Sequence, residues 1–129
     1  MTTRWLSDAW FDMLGIEFGD VSGPPTLSGT VVVGVTGGPD GDMAGHVVFA
    51  DGSVVSSGPG AVPSPDLTLT LTDEDARGVL AGDLDPSVAF MQGRMKVAGA
   101  MAPLLDLLAL AGTEASTARR ARLAGSTTY

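Results

Sequence analysis

Between Asp66 and Gly82 the chain changes its hydrophobic period without a pause. Leu67, Leu69 and Leu71 alternate with Thr68, Thr70 and Thr72, a period of two that buries one face of a strand and leaves the other polar. A helical pattern starts at the next residue. Thr72 can cap it, and Asp73, Glu74 and Asp75 fill the first turn, where negative charge suits the helix dipole. Ala76, Val79 and Leu80 form its apolar stripe, and Gly82 stands where a left-handed C′ residue is expected. A strand followed at once by a capped helix points to helices laid on a sheet.

The flanking segments extend this reading. Thr30–Thr36, His46–Ala50 and Ser53–Ser56 read as three antiparallel strands, turned by the Gly37–Gly41 cluster and by the Asp51-Gly52 hairpin pair. Ser57–Pro65, with three prolines, reads as a loop. Before them, Ser7 caps a helix, Leu6 and Phe11 have the spacing of a hydrophobic staple, and Trp10, Phe11, Met13 and Leu14 share a face. Gly15 is expected to end that helix. Downstream, Asp85-Pro86 begins a helical turn through Met91, and Arg94–Val97 is a fifth strand with Met95 and Val97 on one face. A helix over Ala100–Ala111 tolerates Pro103 in its first turn, and a more polar helix covers Glu114–Leu123. With no repeat and no long linker, residues 1–129 form one α+β domain, a five-stranded, mainly antiparallel sheet covered by helices.

Several functions are excluded or weakened by what the chain lacks. Seven basic against fifteen acidic residues leave a net charge of −8, which argues against nucleic acid as a partner. There is no cysteine, hence no disulfide framework, thiolate–zinc site or cysteine nucleophile. His46 is the only histidine, and no serine stands in a nucleophile-elbow context, so no triad can be argued and no enzyme is expected. Asp40, Asp42, Gly45 and Asp51 approach the spacing of a calcium loop, but Ala44 and the terminal Asp51 break it, and no metal is expected. Gly37, Gly38 and Gly41 do not open a helix, so they do not form a phosphate loop. No cofactor is implied. The N-terminus is not a secretory signal and no apolar run reaches membrane-span length, so a cytoplasmic protein without stable membrane insertion is expected. Arg119, Arg120 and Arg122 could attract a lipid headgroup or an acyl-CoA phosphate; the plainer reading is that they serve the C-terminal end of a helix dipole.

The helix over residues 100–111 is harder to dismiss. Met101, Leu104, Leu105, Leu107, Leu108 and Leu110 surround it, with Asp106 its one charge. Such a helix is buried nearly all round, lines a cavity, or meets a partner. Met91, Met95 and Met101 add adaptable side chains suited to an apolar pocket. On this physics alone ordinary core is slightly the better reading, with a ligand pocket as the alternative.

The order of residues narrows the choice. Pro86–Met101, PSVAFMQGRMKVAGAM, resembles the most specific phrase of the sterol carrier protein type-two family, and Asp66–Asp75 resembles its strand–helix phrase. The LSDAWFD opening looks like stand-alone bacterial members. The resemblance implies a hydrophobic cavity between sheet and helices that holds a sterol, fatty acid or fatty acyl-CoA without catalysis. It implies ligand contacts at Val88, Phe90 and Met91 and, on the next helix, at Met101, Leu104, Leu105 and Leu108. Gln92 is read as support for the turn. Three positions depart from the family pattern: Ala100 replaces an acidic residue, Pro103 is unusual, and Leu108 replaces a polar glutamine, implying a more apolar pocket. The alternative is an interaction module, with residues 100–111 packing on a partner or forming a homodimer.

Overall fold

The computed structural model describes residues Thr2–Tyr129. In chain order the elements are β1 (Thr3–Arg4), α1 (Asp8–Phe18), β2 (Gly29–Gly38), β3 (Gly41–Ala50), β4 (Ser53–Pro59), β5 (Leu67–Thr72), α2 (Asp73–Ala81), α3 (Pro86–Met91), β6 (Lys96–Gly99), α4 (Met101–Ala111), α5 (Glu114–Gly125) and β7 (Thr127–Thr128). Five strands form one sheet in the order β4-β3-β2-β5-β6. All neighbours in it are antiparallel except β2 and β5. The α+β class and the mainly antiparallel five-stranded sheet are as expected. The parallel pair lies outside that expectation, because strand direction depends on the edge to which the chain returns after β4.

Local signals explain most boundaries. The Ser7 hydroxyl accepts the Trp10 amide at 3.2 Å, and the Thr72 hydroxyl accepts the Asp75 amide at 3.2 Å, so both expected caps form. Gly82 has φ 87°, the left-handed geometry that closes α2 through its N–H to the carbonyls of Gly78 and Val79. Asp51 (φ 51°) and Gly52 (φ 86°) together make a hairpin turn matched to the twist of β3 and β4.

Several expected boundaries move. Strand β3 begins at Gly41 rather than His46, and β4 continues to Pro59, where a loop from Ser57 is expected, because β3 and β4 keep pairing as far as Gly45 and Pro59. Helix α1 runs through Gly15 to Phe18. The glycine is there for contact, not termination: a Cβ on Gly15 would stand 3.2 Å from Oγ of Ser57, whose hydroxyl donates to the Phe11 carbonyl at 2.8 Å. The fifth strand begins at Lys96, not Arg94. Gly93 turns left-handed (φ 73°), and the amides of Arg94 and Met95 donate to the Ala89 carbonyl at 2.9 and 3.1 Å. Those donors close the end of α3 and are unavailable to the ladder.

The sheet presents its apolar face to the helices. Register places Val33 beside Gly45 on one flank and Leu69 on the other, with Val97 next to Leu69. Leu67, Leu69 and Leu71 are all buried, as their alternation requires. The chain ends meet: β1 and β7 pair in parallel, with Thr3 opposite Thr127 and Arg4 opposite Thr128.

Candidate functional site: an apolar cavity under the helices

Sheet and helices do not close on each other completely. A cavity of about 260 Å³ separates them, and nearly all of its surface is carbon. Val33, Val35, Val47, Phe49, Leu69 and Leu71 form the floor on the sheet. Trp10, Phe11, Leu14 and Phe18 of α1 make one wall, and Ala76, Val79 and Leu80 of α2 make another. Leu107, Leu110 and Ala111 of α4 face Ser116 and Arg120 of α5 across the remaining side.

Aromatic rings stiffen the α1 side. Trp5 and Trp10 meet edge to face with centroids 4.9 Å apart, and Trp10 meets Phe11 the same way at 5.0 Å. Their polar ends are satisfied outside the cavity. Nε1 of Trp5 donates to Asp73 at 2.9 Å, and Nε1 of Trp10 donates to the Thr127 hydroxyl at 3.0 Å. The paired chain ends therefore hold the rings that line the cavity.

Arg120 is the charged group in this wall. Its Nη1 donates to the Ala111 carbonyl at 3.0 Å and to the Ser116 hydroxyl at 2.9 Å. Burial pushes its pKa below the usual arginine value, opposed by the charge of Asp85. Arg119 and Arg122 turn the other way, toward Glu17 and Asp20 at the end of α1. The three arginines are thus two tethers and one wall residue; only Arg122 lies in the last turn of α5, where a dipole role applies.

Residues weighed for other chemistry have structural partners. Nδ1 of His46 lies 2.9 Å from the Gly60 carbonyl. Asp40 pairs with Arg4, and Asp42 accepts the Gly37 amide at 2.9 Å. Among the described residues no cluster of three or more metal-ligating side chains occurs, and no helix is long and apolar enough to cross a membrane.

The seven residues expected to contact a ligand fall elsewhere. Met91 (82% exposed), Met101 and Leu105 (57% each) and Val88 (41%) point to solvent. Leu104 is fully buried, while Phe90 and Leu108 are half-buried against the core. None of the seven forms part of the cavity surface. The reason is rotational phase. Helix α4 is apolar all round, so no polar face announces which side turns inward, and the inward side carries Leu107, Leu110 and Ala111 instead. In α3 the cavity is reached by Pro86, and the residue turned into the core is the small Ala89, which is fully buried. The lining aromatics went unassigned to a site, although a signal was available: four of the seven aromatic residues, Trp5, Trp10, Phe11 and Phe18, lie in the first eighteen positions.

Residues 26–112 match the SCP-2 sterol transfer family. The chain belongs to that family. Membership places it among lipid-binding and lipid-transfer domains. It is 32% identical over 84 residues to sterol carrier protein 2 of Rattus norvegicus, an alignment covering 65% of this chain and 15% of the relative. The chain thus matches only about 15% of the length of that curated relative. A crystal structure of sterol carrier protein 2 superposes with TM-score 0.73 at 18% identity, covering 89% of this chain and 96% of that one. A conserved hypothetical protein of Thermus thermophilus superposes with TM-score 0.77 at 16% identity, covering 95% and 92%. At these identities the structures speak for the fold of the SCP-2 domain.

Within this SCP-2 domain the phrase Pro86–Met101 builds a corner, not the cavity wall. Only its Pro86 and Met95 touch the cavity. Ala89 plugs the core, Gly93 turns the chain, and Gln92 lies within 3.4 Å of Arg94, whose guanidinium pairs with Asp75 at 2.6 Å. Ala100 caps α4 without any side-chain hydrogen bond.

Proposed function

We propose that this protein is a cytoplasmic, non-catalytic carrier that shields an apolar lipid in the cavity between sheet and helices. A sterol, a fatty acid or a fatty acyl chain is the class of ligand that fits the reading. The observation that carries it is the cavity itself: carbon-lined space inside an acidic domain. Its volume of about 260 Å³ stands just below the ~300–1,000 Å³ typical of ligand pockets. Burial at about 25 cal/mol per Å² would give an acyl chain micromolar affinity after association costs. On this reading the first contacts are the α1 aromatics and the sheet floor, and Phe90, Leu104 and Leu108 stand behind the wall. Native mass spectrometry after incubation with mixed lipids, with displacement of a fluorescent fatty acid as a second readout, tests it. Bound lipid at unit stoichiometry supports the carrier. Protein that stays ligand-free and displaces nothing overturns it.

A second reading draws on the solvent-facing side of α4. Met101 and Leu105 there are each 57% exposed, which favours association with a second copy of the chain. Sedimentation velocity over a range of concentrations decides it: a dimer abolished by Leu105→Gln supports this reading, and a monomer throughout removes it.

A further inference from the structure

Every arginine but one has a carboxylate partner. Arg4 pairs with Asp40, Arg77 with Asp73, Arg94 with Asp75, and Arg119 and Arg122 with Glu17. Arg120 has no such partner among the described residues. In a chain with fifteen acidic residues against seven basic ones, a missing carboxylate is not explained by scarcity. The same arginine stands in the wall of the cavity. Asp85 is close enough to favour its charge, yet the Asp85 carboxylate is engaged in capping α3 through the amides of Ser87 and Val88.

The hydrogen bonding of Arg120 is one-sided. Both of its protein acceptors, the Ala111 carbonyl and the Ser116 hydroxyl, are taken by Nη1. Nε is buried and has no acceptor. The edge formed by Nε and Nη2 therefore carries charge and donors with no protein partner among the described residues. Buried donors in folded proteins are nearly always paired, and a buried charged donor is the costliest kind to leave alone. That edge is the side of a guanidinium that matches a carboxylate through two parallel hydrogen bonds.

We propose that Arg120 is the headgroup-recognition residue of the cavity, which selects an amphiphile with one apolar chain and a carboxylate head. The chain lies against the carbon floor, and the carboxylate accepts from the free guanidinium edge between α4 and α5. A neutral head could accept one hydrogen bond but would leave the half-buried charge uncompensated; a carboxylate answers both. This inference rests on the lipid-carrier reading and adds to it a residue and a preference.

The test compares a saturated long-chain fatty acid with the primary alcohol and the alkyl phosphate of the same chain length. Each displaces a fluorescent probe from wild type, Arg120→Met and Arg120→Lys, and circular dichroism confirms the fold of each variant. Wild type should bind the acid about 10- to 100-fold more tightly than the alcohol, the range expected of a charge-assisted hydrogen bond. In Arg120→Met that preference should vanish, the acid losing its advantage of about 10- to 100-fold while the alcohol loses no more than the single hydrogen bond it accepts. Arg120→Lys should keep part of the preference, since it retains the charge and loses the fork. If Arg120→Met does not fold, the wild-type ratio and the lysine variant decide. Equal binding of acid and alcohol by wild type, or equal loss of both in Arg120→Met, overturns the role of Arg120 and leaves the carrier reading standing. Tighter binding of the alkyl phosphate than of the acid overturns the choice of carboxylate. Failure of all three to bind wild type overturns the carrier reading and this inference with it.

Discussion

The ring of Phe11 on α1 fills the space that a side chain at position 45 of β3 would occupy. A Cβ built on Gly45 would collide with Cζ and Cε1 of that ring. The missing side chain lets α1 settle onto the sheet, and both residues line the cavity. Gly45 sits beside Val33 in the ladder, so the gap lies within the apolar floor.

Gly45→Ala should therefore drive the Phe11 ring into the cavity and cost about 1–3 kcal/mol, the usual range for overpacking. Gly45→Ala combined with Phe11→Leu should cost less than the sum of the single changes, because the second relieves the clash made by the first. Urea denaturation of the four proteins measures this. Strict additivity would show that the two side chains do not compete for space.

Filling the cavity should weaken lipid uptake, while changing an exposed position away from it should not. Ala111→Phe places a ring in the α4 wall. It should weaken displacement of a fluorescent fatty acid by at least about tenfold, because the ligand then loses apolar contact worth more than about 1.4 kcal/mol. Met91→Gln, at a position 82% exposed and away from the cavity, should leave binding unaltered. The reverse ranking would move the binding site to the outer side of α3.

The pairing of the chain ends should control the aromatic wall. Thr127 accepts from Nε1 of Trp10 at 3.0 Å and donates to the Leu123 carbonyl at 2.6 Å. Thr127→Val removes both bonds and should destabilise the fold by about 1–3 kcal/mol, the cost of stranding a part-buried donor. Faster release of bound lipid in stopped-flow exchange should accompany the loss. Stability lost with no change in release would separate the chain ends from the cavity.

Tyr129, the single tyrosine, reports on the same corner. Burial holds its hydroxyl above the ordinary value of 10.0, while the Arg77 guanidinium, 4.3 Å from the ring centre, pulls it down. The folded value is raised above the unfolded one. The associated stability is thus fully present below about pH 10 and is lost as the pH climbs through the folded value. Tyrosinate absorbance should titrate at higher pH in the folded protein than in denaturant, and higher still in Arg77→Ala. A folded titration at or below that of the denatured chain would show that the Arg77 charge outweighs burial at this half-exposed ring.

Much of the fold was legible because short-range chemistry wrote it. The Leu67–Leu71 alternation, the Thr72 cap and the Gly82 stop each act within a few residues, and each is observed. Where two local roles competed, the reading slipped. Gly15 has the character of a helix stop but serves contact with Ser57, and Arg94 has the character of a strand start but gives its amide to Ala89. The site was less legible still. In α4, Met101 and Leu107 are chemically alike, yet one faces solvent and the other the cavity.

Taken alone, the amino-acid sequence determined the α+β class, the caps and hairpins, the absence of cysteine chemistry and the resemblance carried by Pro86–Met101. These follow from periodicity, turn chemistry and residue order, which need no knowledge of distant contacts. Tertiary structure alone decided which apolar surfaces meet and which leave a space between them. Trp10, Leu71, Leu107 and Arg120 come from four separate elements, and no local pattern sets their mutual placement. The phase of α4 and the unpaired edge of Arg120 exist only once those elements pack, because burial and partnership are properties of the assembled fold.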